Sequence, residues 1–311
     1  MIEIFKTYED GLRQIDNVEP GCWVVMTGPS ATELVEISEK CKIDVDHLRA
    51  PLDEEERSRI EVEDDYTLIL VDIPTIEERN DKDRYVTMPL GIIVGKEVIV
   101  TICLEETKIL KSFIDGRVRD FYTFKKTRFI LQILYKNATV FLQYLRIIDR
   151  RSEAIERKLH ISTKNSELID LLELEKSLVY FTTSLRANEV VLEKMLKNDS
   201  IKQYPEDTEL LEDVIIENKQ AIEMANIYSG ILSGTMDAFA SIISNNLNIV
   251  MKFLATITIV MSIPNIVAGF YGMNVKGIPG SENPYGFFIV VLVAVLITII
   301  AALIFRKKDL F

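Results

Sequence analysis

The chain has 311 residues, of which 48% are hydrophobic and 27% charged, and its formal net charge at pH 7 is −12. This acid excess excludes a nucleic-acid-binding role, because neutralising phosphates requires clustered Lys and Arg. The cysteines and histidines are few and widely spaced, which excludes a zinc or disulfide framework. These residues are Cys22, Cys41, Cys103, His47 and His160. The sequence has no glycine-rich phosphate loop, and an enzyme is not expected.

Residues 1–110 have a mixed pattern that predicts a small α+β domain. Short apolar runs bounded by turn residues predict strands, and one helix is predicted over 31–41. The last two runs flank Gly95-Lys96, which predicts an antiparallel hairpin with a type II′ turn. Residues 1–6 do not open a cleavable secretory signal, so this domain is expected in the cytoplasm. The apolar runs cover 22–26, 66–73, 90–94 and 98–103.

Helical periodicity begins near residue 107, and residues 111–203 are predicted to form long antiparallel cytoplasmic helices. A break at 161–166 separates them, with Asn165 or Ser166 as the N-cap of the second. The segment Tyr204-Pro205-Glu206-Asp207 predicts the start of another helix, because proline suits the first turn and acids favour the positive end of the helix dipole. The next proline is Pro264, so one stalk helix over 204–271 is predicted to continue into a membrane.

Two uncharged apolar stretches near the end of the chain, 253–271 and 287–305, are each long enough to cross a bilayer as a helix. Lys252 precedes the first, and Arg306-Lys307-Lys308 follows the second within the basic tail 306–311. Because positive residues stay on the cytoplasmic side, both termini are predicted to be cytoplasmic and the loop 272–286 extracellular. The chain is therefore predicted to be a multi-pass protein of the cytoplasmic membrane.

The helix that contains the first span carries a narrow stripe of mostly small or polar residues at alternating spacings of three and four. Such a stripe is typical either of a tight helix interface in the membrane or of a pore lining that presents oxygen atoms to a hydrated ion. The second span has Thr298 as its one polar side chain and is predicted to face lipid. The stripe consists of Asp237, Ser241, Ser244, Asn248, Met251, Ala255, Thr258, Ser262, Asn265, Gly269 and Gly272.

At the outer end of the first span stands Gly272-Met273-Asn274, the signature of the CorA magnesium channel family. The stretches 233–237 and 248–252 also resemble that family's stalk and inner pore mouth. The resemblance implies a homopentamer with a funnel-shaped cytoplasmic domain that passes Mg²⁺, and often Co²⁺ or Ni²⁺, down its electrochemical gradient. It implies that Gly272, Met273 and Asn274 form the selectivity filter. The implied pore lining is Asn248, Met251, Leu254, Ala255, Thr258, Ser262 and Asn265, with Met251 and Leu254 as the hydrophobic gate.

The same resemblance implies closure by intracellular Mg²⁺, so Mg²⁺ is expected both as cargo and as regulator. Asp213 and Asp237 on the stalk, with Asp53 as a further candidate, would supply carboxylates to the regulatory site. The chain has Arg49-Ala50 where the family usually has an acidic pair, and its outer loop 277–280 resembles the zinc-transporting ZntB branch. Two alternatives therefore stay open: a ZntB-like zinc transporter, and a membrane-anchored scaffold that conducts nothing.

Overall fold

The structure is a computed structural model that describes residues 1–79, 82–161, 165–197, 205–273, 275, 278–279 and 283–308. It contains two compact units, Met1–Met236 and Asp237–Phe311. The first unit holds a mixed seven-stranded sheet flanked by helices, and the second holds two apolar helices. The α+β domain, the long helices and the two candidate spans predicted from the sequence are confirmed.

The sheet has the strand order β2-β1-β3-β7-β6-β5-β4. Its neighbouring strands are antiparallel except for β3 and β7, which pair in parallel with Val24 opposite Val100. These two central strands are buried almost throughout, as expected for parallel strands covered on both faces. The strands are β1 (Ile2–Tyr8), β2 (Gly11–Ile15), β3 (Trp23–Thr27), β4 (Arg59–Val62), β5 (Tyr66–Arg79), β6 (Lys82–Gly95) and β7 (Ile99–Cys103).

Successive residues of a strand point to opposite faces of the sheet. Because the central strands are apolar along nearly their whole length, both faces of the sheet need to be covered, and helices cover them. One face packs on Leu34, Ile37 and Leu48, which belong to α1 (Ala31–Cys41) and α2 (Val45–Arg49). The helix α1 has a full capping box, in which the Ser30 hydroxyl accepts from the Glu33 N–H and the Glu33 carboxylate accepts from the Ser30 N–H. The remaining helices are α3 (Lys108–Ile114), α4 (Lys126–Ile161), α5 (Asn165–Lys197), α6 (Pro205–Tyr271) and α7 (Gly286–Lys307).

Two local expectations from the sequence are wrong. The helical pattern near residue 107 is interrupted, because Gly116 takes a positive φ of 69° and ends α3, with the Arg117 N–H donating to the Ser112 carbonyl. The hairpin between β6 and β7 is antiparallel, which confirms the pairing. Its turn is not type II′, however, because neither Gly95 nor Lys96 has the positive φ that this turn requires.

The second unit consists of the membrane part of α6 together with α7. Both helices are long and apolar enough to cross a membrane. Residues that are buried or half-buried recur along each helix at spacings of three and four, which identifies the face on which each packs. On α6 this face is Thr256, Val260, Ile263 and Val267, and on α7 it is Val290, Ala294, Thr298, Ala301 and Phe305.

Candidate functional site

The polar stripe lies on a face of α6 different from the one that packs within its unit. Asn265 is nine residues from the buried Thr256, and at about 3.6 residues per turn this separation is about two and a half turns, so the two side chains point in opposite directions. Along the stripe Ser262 is half-buried, and the other predicted pore-lining residues are exposed. The stripe is therefore accessible to another molecule or to ions.

Two hydroxyl groups of the stripe, those of Thr258 and Ser262, present acceptors outward. The Thr258 Oγ1 donates to the Leu254 carbonyl at 2.8 Å, and the Ser262 Oγ donates to the Ile259 carbonyl at 2.7 Å. Since each hydroxyl has one proton, and that proton is engaged by the helix backbone, only lone pairs remain to face outward. Lone pairs suit a cation or the water of its hydration shell, whose O–H groups point away from the ion.

The stripe is apolar where the hydrophobic gate is predicted, just before and at the start of the first candidate span. Met251 is 58% exposed and Leu254 52% exposed, while Asn248, one turn earlier, offers an exposed amide. No Asp, Glu, Lys or Arg occurs from 253 to 271. Any ion following this helix would therefore be held by dipoles instead of by full charges.

The predicted selectivity filter begins where α6 ends. The Gly272 N–H donates to the Ala268 carbonyl at 2.8 Å and continues the helical pattern for one more bond. A Cβ on Gly272 would lie 3.1 Å from that same carbonyl oxygen, so a larger residue would crowd the helix end. Met273 is exposed. The third member of the predicted filter, Asn274, lies outside the described residues.

The three predicted regulatory acids are exposed. Asp53 follows the short 3₁₀ turn Ala50–Leu52, and its Oδ1 accepts from the Glu55 N–H at 3.0 Å. Asp213 and Asp237 lie on exposed positions of α6. Within the described residues none of the three belongs to a set of potential metal ligands close enough to share one ion.

A different set of potential ligands does converge, and the sequence patterns missed it. His47, Glu61 and Glu63 each offer one ligand atom, and these atoms lie within 4.8 Å of one another. The strand β4 carries Glu61; it has four residues, RIEV, and this alternation of charged and apolar residues is shorter than the apolar runs from which strands are predicted. The usable signal was the spacing of Glu61 and Glu63, which places both on one side of an extended chain.

The three cysteines are free thiols packed in the first unit. Cys22 and Cys103 are buried, and Cys41 is half-buried. Burial raises the pKa of Cys103 to about 12 and that of Cys41 to about 11. The thiolate, which is the metal-binding form, is therefore scarce at neutral pH, and these residues are poor ligands for soft metals.

An α+β unit followed by two helices long and apolar enough to cross a membrane, one of which carries uncharged oxygen acceptors along its apolar part, is the arrangement expected of a membrane transport protein for ions. The family model described as "CorA-like Mg2+ transporter protein" matches residues 19–307. The chain therefore belongs to the CorA family.

Individual relatives agree with this assignment. The cobalt/magnesium transport protein CorA of Methanocaldococcus jannaschii is 30% identical over 295 residues, covering 92% of this chain and 90% of the relative. The complete structure of the CorA magnesium transporter from that organism superimposes with a TM-score of 0.86 at 27% identity, covering 99% of this chain and 98% of that one. The ZntB cytoplasmic domain from Vibrio parahaemolyticus has a TM-score of 0.59 at 11% identity and covers 79% of this chain and 97% of its own, so it shares the fold alone.

Proposed function

We propose that this chain is one subunit of a homopentameric channel that passes hydrated Mg²⁺ across the cytoplasmic membrane, down its electrochemical gradient, along the polar stripe of α6. The observation that carries the proposal is the run of outward-facing oxygen acceptors on α6, away from its packing face. Copies of α6 arranged around an axis would turn this run into stacked rings of acceptors. Co²⁺ and Ni²⁺, which form similar hydrated dications, are further candidate cargoes.

A neutral pathway suits Mg²⁺ for a physical reason. Mg²⁺ demands octahedral oxygen coordination and loses its water reluctantly, so it is handled most easily with its hydration shell in place. Hydroxyl and amide oxygens can accept hydrogen bonds from that shell at several successive weak sites, which allows conduction. A carboxylate in the same place would bind the ion more tightly and slow its release. The amide of Asn274 is the proposed entrance ring, together with Gly272 and Met273.

The proposed gate lies at Met251 and Leu254. A ring of such apolar side chains blocks a narrow pore by excluding water, and an ion that keeps its hydration shell cannot pass a dewetted section. Asn248, next to this ring, is the proposed inner amide site. Opening would then require only that the α6 helices separate enough to admit water.

Closure by intracellular Mg²⁺ is proposed to use Asp213 and Asp237, with Asp53 as a further candidate. All three are exposed in the single chain, so they are available to ligate an ion shared with a neighbouring subunit. Replacing Asp213 and Asp237 together by Asn should raise the internal Mg²⁺ concentration needed to stop flux. An unchanged threshold would assign regulation to other groups.

The test is Mg²⁺ uptake into proteoliposomes loaded with a magnesium-sensitive dye, under an inside-negative potential. Asn274→Ala should abolish uptake while leaving the oligomer intact, as checked by its mass in detergent. Thr258→Val removes one stripe hydroxyl at constant shape and should lower uptake several-fold. Its matched control is Thr298→Val on α7, whose hydroxyl also donates to its own helix, at 2.8 Å to Ala294, but lies off the stripe.

The outcomes separate the alternatives. Potential-driven Mg²⁺ uptake that is lost in Asn274→Ala supports the channel. Zinc uptake without Mg²⁺ uptake would move the protein to a ZntB-like function, although the stripe offers no Cys or His for that metal. If an intact oligomer passes neither ion, the channel proposal fails and the membrane-anchored scaffold is favoured.

A further inference from the structure

One cluster of potential metal ligands lies outside the proposed ion pathway, at the edge of the sheet formed by β4. His47 projects from α2, Glu61 from β4, and Glu63 from the residue just after β4. The His47 Nε2 lies 3.2 Å from the Glu61 Oε2. One ligand atom from each of the three residues falls within 4.8 Å of the others.

We propose that His47, Glu61 and Glu63 bind one first-row transition-metal dication of the Zn²⁺ class on the first unit, at a site separate from the ion pathway. Ligands bound tetrahedrally at about 2.1 Å to one ion lie about 3.4 Å apart, so closing separations of up to 4.8 Å requires a movement of up to about 1.4 Å. His47 and Glu61 are half-buried, whereas Glu63 is exposed and free to make that adjustment. One or more waters would complete the coordination.

The hydroxyl of Tyr66 supports the imidazole from its other side. The His47 Nδ1 lies 2.7 Å from the Tyr66 Oη, which also accepts from the Asp44 N–H at 3.2 Å. Without metal, the tyrosine can donate to Nδ1 while Nε2–H donates to Glu61. With metal, Nδ1–H donates to the tyrosine oxygen and Nε2 offers its lone pair to the ion. A hydroxyl can serve as either donor or acceptor, so both tautomers are satisfied, and a ligand histidine generally needs such a partner.

The surrounding charges orient Glu61 without neutralising the cluster. The Arg59 Nε donates to the Glu61 Oε1 at 2.6 Å, which leaves Oε2 turned toward His47. Arg59 also contacts Glu56, so its single positive charge is shared between two carboxylates. Glu63 adds a further negative charge on the open side. The cluster therefore keeps a net attraction for a dication.

The donor set predicts which ion binds. One imidazole nitrogen with two carboxylates suits Zn²⁺, Co²⁺ or Ni²⁺, whereas Mg²⁺ prefers oxygen ligands alone and keeps most of its water. A fold without a cysteine–histidine framework can still hold a single ion in this way. The inference does not depend on the proposed channel function, because none of the three residues lies on α6.

The test measures Zn²⁺ bound to the full-length chain in detergent, in the presence of a large excess of Mg²⁺ that occupies Mg²⁺-preferring sites. Unbound Zn²⁺ is removed by gel filtration, and bound metal per chain is counted by mass spectrometry. Glu63→Gln is the main variant, because an exposed side chain can be changed without loss of folding. His47→Gln is the second variant. The controls are Glu78→Gln, an exposed glutamate on β5, and His160→Gln, the other histidine of the chain.

We expect one Zn²⁺ per chain, with affinity lowered at least tenfold in Glu63→Gln and His47→Gln and unchanged in the two controls. Cobalt in place of zinc should give visible d–d absorption that His47→Gln removes. If the native chain retains no Zn²⁺ under excess Mg²⁺, or if both main variants retain as much as the native chain, the proposal is overturned, and the three residues form an ion-pair network only.

Discussion

At the residue scale, the aromatic core of the first unit is organised around the chain's one tryptophan. Trp23 is fully buried, and its ring meets those of Phe113, Phe121 and Phe129 with centroids 5.0–6.4 Å apart, all edge to face. Its indole Nε1–H donates to the Thr101 Oγ1 at 2.8 Å, across the parallel pair of β3 and β7. A buried indole N–H needs such a partner, because leaving it unpaired is costly.

Thr101→Val should therefore destabilise the first unit by about 1–3 kcal/mol, the usual cost of a buried donor without a partner. The shape of the side chain is preserved, so lost packing contributes little. The measurement is the unfolding midpoint followed by tryptophan fluorescence, which reports on this core because it contains the single Trp. Thr101→Ser keeps the hydroxyl and loses one methyl, and it should cost less; an equal or larger loss in Thr101→Ser would show that packing, not the hydrogen bond, is what matters.

Asp72 on β5 is fixed by hydrogen bonds to its backbone, and its carboxyl group is largely removed from water. Its backbone N–H donates to the Asn188 Oδ1 at 2.8 Å, and its carbonyl accepts from the amides of Asn137 and Asn188, each at 2.8 Å. Burial raises the pKa of the Asp72 carboxyl above its ordinary value, and hydrogen bonds from Ser184 and Ser58 only partly oppose this. Folding therefore favours the protonated form.

The sign of the pH dependence follows from that raised pKa. The favourable contribution of protonated Asp72 is fully present below its unfolded pKa of about 3.9 and is lost as pH rises through the folded value. Asp72→Asn stays neutral, so its stability relative to the native chain should increase between about pH 4 and pH 7. The same fluorescence midpoint, measured at both ends of this range, tests it. Asp16→Asn, at an exposed site, should show a smaller change; equal changes in the two variants would contradict this account.

At the scale of elements, buried segments were predictable and charged ones were not. The runs 22–26 and 98–103 are central strands because every residue in them is apolar or buried. The strands β5 and β6 extend well past the apolar runs 66–73 and 90–94, because backbone pairing, which does not need apolar residues, continues to Arg79 opposite Lys82. The strand β4 has four residues, of which only Ile60 and Val62 are apolar, and it is held as an edge by pairing with β5. For that reason the apolar pattern did not point to the cluster at Glu61, and only the spacing of Glu61 and Glu63 could have done so.

One contact fixes the 3₁₀ turn Ala50–Leu52 against the sheet. Gly91 lies on β6, and a Cβ built there would fall 2.2 Å from the Pro51 Cγ. Pro51 is buried, so it cannot move away freely. Glycine is needed at this position for close approach, not for an unusual backbone angle, because its φ is not positive.

Gly91→Ala should accordingly destabilise the first unit by about 1–3 kcal/mol through overpacking. Pro51→Ala removes the clashing atom, so the cost of Gly91→Ala should be smaller in the Pro51→Ala background by at least about 1 kcal/mol. The measurement is the free energy of unfolding in denaturant. It is made on the native chain, the two single variants and the double variant, which together form a double-mutant cycle. Additive effects would mean that the strand, and not its contact with Pro51, rejects the alanine.

At the scale of the whole molecule, hydropathy and the Gly272-Met273-Asn274 signature were enough for the family and the two spans. The side-chain period of α6 also showed where a polar stripe runs. A single chain cannot show the axis around which such a stripe would become a pore, because that geometry belongs to the assembly. The same holds for the regulatory acids Asp213 and Asp237: each is exposed in one chain, and a site shared between subunits would also belong to the assembly.

The orientation of the two spans can be tested with introduced cysteines, because the native thiols give little background. Cys103 and Cys41 are protonated at neutral pH, their pKa values being about 12 and about 11, and Cys22 is buried. Val275→Cys places a thiol in the loop between the spans, where Val275 is exposed, and Lys308→Cys places one just after α7. Positive residues beside the spans predict that Lys308 is cytoplasmic and Val275 extracellular.

A membrane-impermeant maleimide applied to intact cells should therefore label Val275→Cys and spare Lys308→Cys. After permeabilisation both should react, which shows that each thiol is accessible in itself. Labelling is read by the mass shift of the purified chain, with the native chain as the control for the three original cysteines. The reverse pattern, Lys308→Cys labelled in intact cells and Val275→Cys protected, would place the Gly-Met-Asn end of α6 in the cytoplasm. An Asn274 entrance ring facing the external medium would then be untenable.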